Sequence, residues 1–65
     1  SSYLYIETTE NFDNYTIFSY DNKIQMSGNF NSQKLEIQNL STGLYYLMLH
    51  NNIGSEYVIR SFAKI

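Results

Sequence analysis

The apolar side chains of this chain come in short runs cut by Asn, Asp, Gly and Ser, and no stretch keeps a 3.6-residue period over three turns. That pattern excludes a helical bundle. The runs themselves are built from Tyr, Ile, Phe, Thr and Leu, residues that suit a pleated, half-buried surface, and Ala63 is the one alanine. Turn signals fall about every ten residues, the spacing of a small antiparallel sandwich.

Strands are predicted over residues 2–7, 15–20, 23–27, 33–38, 44–50 and 56–64. In the first, Tyr3 and Tyr5 share one face, and Leu4 and Ile6 the other. Asn11, Phe12, Asp13 and Asn14 read as a turn. Asp21 and Asn22 read as a tight hairpin, where positive φ is needed and Asn is the best choice after Gly. Residues 28–32 form a polar loop anchored by Phe30. Leu35 and Ile37 point inward, and residues 39–43 connect to the strongest strand. There, Tyr45, Leu47 and Leu49 fill the core from one face. Leu44, Tyr46 and Met48 lie on the other, which is either covered by a further layer or left as an interaction surface. Asn51, Asn52, Ile53 and Gly54 read as the last hairpin turn. The expected fold is all-β: a small antiparallel immunoglobulin-like β-sandwich of about six to seven strands.

With 65 residues the chain is one domain. A chain of this size buries only about 60% of the surface it exposes when unfolded, and ordering it costs roughly 1.5 kcal/mol per residue. Many small domains add a disulfide or a metal. This one has no Cys, and a single His50 cannot build a zinc site. Seven Tyr and four Phe must therefore supply much of the core. The net charge is −2, and Lys23, Lys34, Arg60 and Lys64 are scattered. Nucleic-acid binding, which rests on clustered phosphate contacts, is not expected. No apolar run approaches the ~20 residues of a membrane helix. The chain starts at Ser1 without a signal peptide, and it is expected to be a piece excised from a larger secreted protein.

Catalytic patterns are missing. His50 ends a strand beside two Asn, with no nucleophile or orienting carboxylate marked by the sequence. Glu7, Glu10 and Asp13 form a loose acidic group that reads as a solvated loop, too sparse for a calcium loop. Gly28, Gly43 and Gly54 are isolated turn glycines, not a phosphate cradle. Asn14-Tyr15-Thr16 and Asn39-Leu40-Ser41 match the glycosylation acceptor pattern, as chance allows in an Asn-rich chain. No catalytic residue, cofactor or metal is expected, and the chain does not read as an enzyme.

The second half carries a more specific order of residues. The segment Leu35-Glu36-Ile37-Gln38-Asn39-Leu40-Ser41-Thr42-Gly43-Leu44-Tyr45-Tyr46-Leu47-Met48-Leu49 resembles the signature of type IX C-terminal sorting domains (type A, the Por secretion family of Bacteroidetes). Upstream, Ile17-Phe18-Ser19-Tyr20-Asp21-Asn22-Lys23-Ile24 is similar to that family's hairpin, with Asn22 where Gly is common. Downstream, Tyr57-Val58-Ile59-Arg60-Ser61-Phe62-Ala63-Lys64-Ile65 is similar to its closing strand. The resemblance covers nearly the whole chain. One departure is the family's opening Pro-Asn-Pro segment, since this chain has no Pro; Ser1-Ser2-Tyr3-Leu4 resembles the residues directly after that segment.

The resemblance implies a sorting signal, residues 1–65, that takes a fused N-terminal cargo through the periplasm and across the outer membrane to the surface or medium. Its partners would be the type IX translocon and the outer-membrane shuttle and sortase proteins, with the domain as the sortase's substrate. The residues expected to matter for recognition are Gly43, Tyr45, Leu47, Arg60, Lys64 and Ile65. Each also has a structural reading. Gly43 lets the chain turn into a strand without Cβ strain. Tyr45 can bury its ring and offer its hydroxyl to a backbone carbonyl. Lys64 is either a compact charge for an acidic receptor or simply solvated, and Ile65 adds an apolar contact and the terminal carboxylate. Open strand edges are expected to permit a homodimer. The alternative to a sorting signal is an adhesion or carbohydrate-binding module, favoured by the tyrosine content.

Overall fold

The computed structural model describes residues 3–7, 11–30, 33–51 and 56–65. Among them there are six strands and no helix: β1 (Tyr3–Tyr5), β2 (Asn14–Ser19), β3 (Ile24–Asn29), β4 (Lys34–Glu36), β5 (Gly43–His50) and β6 (Tyr57–Lys64). They form two antiparallel sheets, a small one of order β1-β4 and a larger one of order β3-β2-β5-β6. This is the small antiparallel β-sandwich expected from the alternation of the sequence.

Alternation along β5 decides which side of the larger sheet is the core. Tyr45, Leu47 and Leu49 are buried, whereas Leu44, Tyr46, Met48 and His50 face the other way. Ile17 stands opposite Leu47 and is fully enclosed. Leu35 and Ile37 descend onto this layer from the β4 side, and Leu4 and Ile6 from the β1 side. Tyr3 and Tyr5 are exposed, as the period-two reading of β1 requires.

The β2–β3 hairpin turns where the sequence predicts. Asn22 has φ 67°, and its N–H donates to the Ser19 carbonyl at 2.9 Å. The Ser19 N–H donates to the Lys23 carbonyl at 2.8 Å. The Ser19 hydroxyl also donates to Asp21 Oδ1, and this bond holds the Asp21 carboxyl below its ordinary value of 3.8. Just past the turn the pairing slips: Ile17 faces Met26 but Phe18 faces Ile24, so Gln25 is the extra residue of a β-bulge.

Three expectations are corrected. Residues 28–29 are not loop, since β3 continues through Gly28 and Asn29, opposite Tyr15 and Asn14. Gly28 is therefore no turn glycine: it lies in the strand beside the Tyr15 ring, which a Cβ there would touch at 3.4 Å, an ordinary contact distance. Gly43 likewise begins β5 rather than ending the preceding loop. Within the segment read as a turn, Asn14 already opens β2, and Phe12 is buried in the core. Phe30 is the buried anchor expected. The hairpin turn proposed for residues 51–54 lies outside the described residues beyond Asn51, as do Glu10 and Gly54.

Candidate functional site

Two of the three segments that carry the family resemblance meet at one end of the sandwich. Gly43 opens β5 with φ 157° and pairs with Lys64 on β6. A Cβ on Gly43 would meet nothing within 4 Å, so its requirement is backbone conformation rather than space. Two residues on, the Tyr45 ring is buried and stacks on Phe62, centroids 5.6 Å apart and planes 23° apart. Its hydroxyl donates to the Ser41 carbonyl at 2.6 Å. The ring thus pins the incoming connection against the strand that comes after it, the corner geometry that a Gly-x-Tyr start to a strand suggests.

Lys64 completes this end. Its ammonium is half-buried and donates to the Ile37 carbonyl at 3.0 Å and to the Leu40 carbonyl at 2.9 Å. Both acceptors belong to the β4–β5 connection, and the Leu40 N–H donates to the same Ile37 carbonyl at 3.0 Å. The side chain of β6 therefore fastens the connection between the sheets to the edge of the larger one. It is not the solvated charge that an exposed chain end suggests. Leu40, whose side chain is buried, is held in the same knot.

The remaining sequence-predicted residues separate. Leu47 is in the core, opposite Ile17 and Arg60, and acts on any partner only through the fold. Arg60 is exposed on the core-side face of β6, and its Nη1 donates to the Ile59 carbonyl at 3.0 Å. Ile65 is 92% exposed. Gly43, Tyr45 and Lys64 are thus one unit, with Ile65 beside it in sequence, while Arg60 lies further along β6.

Residue type alone does not single out two further surfaces. The first is the outer face of the larger sheet. The structure answers whether Leu44, Tyr46 and Met48 are covered: no described segment lies over them, and Leu44 is 58% exposed. Phe18, Ile24, Tyr57 and Ile59 join them across the register. Among the described residues no Asp, Glu, Lys or Arg projects from the strands on this face, because Arg60 and Lys64 are on the other side of β6. His50 sits at its margin with Nε2 3.1 Å from the Thr16 hydroxyl. The second surface is a groove of about 270 Å³ between β1 and β6, floored by Leu47, Leu49, Val58 and Phe62. Among the described residues no group of three or more His, Cys, Asp or Glu is placed to hold a metal.

Comparison of the chain with family models, with curated proteins and with solved structures gave no match.

Proposed function

We propose that this domain is a C-terminal sorting signal read by a type IX secretion apparatus: it directs a fused cargo across the outer membrane and is then removed by a sortase. The observation that carries the reading is a convergence in space. Residues 35–49 and 57–65 carry most of the resemblance to the sorting family, and at one end of the sandwich Lys64 of the second segment is tied to the Ile37 and Leu40 carbonyls of the first. A receptor can read such an end as a shape, because Gly43, Tyr45 and Lys64 fix it without loop freedom. The exposed Ile65 then extends from that rigid end.

The test is a fluorescent reporter carrying an N-terminal export signal and ending in this domain, expressed in a type IX-competent bacterium. The reporter is expected at the surface or in the medium, and in the periplasm of a strain lacking the translocon. Periplasmic retention in both strains, with the domain folded, refutes the proposal. Removal of Ile65 alone, which leaves Lys64 in place, then asks whether the chain end is part of what is read.

A second reading, a carbohydrate-binding or adhesion module, is favoured by the uncharged outer face with Phe18, Tyr46 and Tyr57. Rings on a flat sheet face can stack on sugars. Polysaccharide titration followed by tyrosine fluorescence tests it, and Tyr46→Ala should abolish any response.

A further inference from the structure

The two sheets are unequal, and among the described residues the imbalance leaves one strand of the larger sheet without a covering partner. The small sheet has β1 and β4 only, set against four strands. Between β1 and the inner face of β6 lies the groove of about 270 Å³. Its floor is apolar, and Val58 and Phe62 remain only half-buried within it. One wall is a strand edge. The Ile6 N–H donates to the Gln33 carbonyl across the β1–β4 pair at 2.8 Å. Backbone groups alternate in direction along an antiparallel strand. The Tyr5 N–H and C=O, one residue earlier, therefore point away from β4, on the side where Tyr5 lines the groove.

We infer that this groove is a strand-acceptor site for an extended, alternately apolar segment of a partner protein that carries a carboxylate. The inference goes beyond the sorting reading and does not depend on it. A backbone edge beside an apolar floor selects extended peptide over other ligands: the edge supplies main-chain hydrogen bonds, and the floor takes every second side chain. Two charged side chains line the groove, Glu7 just past β1 and Arg60 on β6, so the carboxylate is called for on the β6 side, opposite Arg60. One of its five donors is used, on the Ile59 carbonyl. No ion pair among the described residues engages it. A second copy does not meet this requirement, because the free-edge strands of its larger sheet, β3 and β6, contain no Asp or Glu to set against Arg60.

The experiment uses the isotope-labelled domain and a blocked hexapeptide, Thr-Val-Glu-Val-Thr-Val, with a second peptide bearing Lys in place of Glu. Titration followed by amide chemical shifts should perturb β1 and β6 and leave Phe18 and Tyr46 on the outer face unmoved. Arg60→Glu, an exposed change that circular dichroism should report as folded, is expected to weaken the Glu peptide at least tenfold. The same variant should prefer the Lys peptide, reversing the order seen with the unmodified domain. Tyr5→Pro, which removes the edge N–H, should weaken both peptides at least tenfold. Absence of binding overturns the inference. So does equal affinity for the two peptides, or shifts confined to the outer face. A domain that sediments as a dimer with its groove already occupied also overturns it, and assigns the groove to a second copy.

Discussion

Replacing Lys64 by Met keeps the length and apolar stem of the side chain and removes its ammonium. The loss is two hydrogen bonds, to the Ile37 and Leu40 carbonyls at 3.0 and 2.9 Å. Bonds from charged donors contribute about 1.5–3 kcal/mol each. This site is half-buried, so water can partly replace the donor, and Ile37 keeps the Leu40 N–H as a second partner. Each bond is therefore reduced to about 1–1.5 kcal/mol, the upper part of the range for an uncharged pair, and about 2–3 kcal/mol is the expected cost for the two. A domain of this size has a total stability of roughly 3–10 kcal/mol, so the substitution should lower the melting temperature by about 10–20 °C. The assay is urea unfolding followed by far-ultraviolet circular dichroism and tyrosine fluorescence, with an unchanged denaturant slope. A midpoint that does not move would refute the reasoning, because it would mean that the ammonium is solvated and the two carbonyls need no donor. The measurement also qualifies any export experiment: a variant lacking Lys64 that fails to be exported has first to be shown folded.

Three other outcomes are expected. Gly43→Ala and Gly43→Val should each cost about 1–3 kcal/mol, and by similar amounts, because there is open space around the missing Cβ; a Val variant far worse than Ala in thermal melts would show steric crowding instead. Tyr45→Phe should lose the bond to the Ser41 carbonyl and about 0.5–1.5 kcal/mol, with ring packing on Phe62 intact, as read by urea midpoints. The Asp21 carboxyl, lowered mainly by the Ser19 hydroxyl, favours the hairpin while ionised; that contribution is present above 3.8 and lost as pH falls through the lower folded value. Ser19→Ala should move its titration, followed by carboxyl carbon shifts, back up toward 3.8.

Much of this architecture is legible in the residues, and the misses have physical causes. Strands β2, β5 and β6 are predicted within a residue at each end, because their apolar side chains alternate or run between strong turn residues. The Asn22 turn comes from backbone preference alone. Gly28 and Asn29 read as loop because their types favour turns, yet pairing with Tyr15 and Asn14 overrides local propensity. Phe12 is a lone apolar residue in a polar segment, and no period marks it as core. Tyr45 is legible as a corner, since its acceptor lies just four residues upstream. Lys64 is not legible as a clamp, because its acceptors lie 27 and 24 residues back along the chain, and the sequence around a lysine does not reveal which distant carbonyls it will reach. The groove beside β1 depends on the count of strands in each sheet, which no single segment encodes.

The strand order also has a kinetic consequence. β2–β3 and β5–β6 are neighbours in sequence and can each zip locally, whereas β2 meets β5 only when Ile17 reaches Leu47 and Thr16 reaches Met48. Closing so long a loop costs entropy before any contact repays it, and topologies of this kind fold in milliseconds to seconds. The docking of one hairpin on the other along β2 and β5 is then the barrier. Truncating Ile17 should slow folding, while loss of the Lys64 clamp, which closes after docking, should mainly speed unfolding.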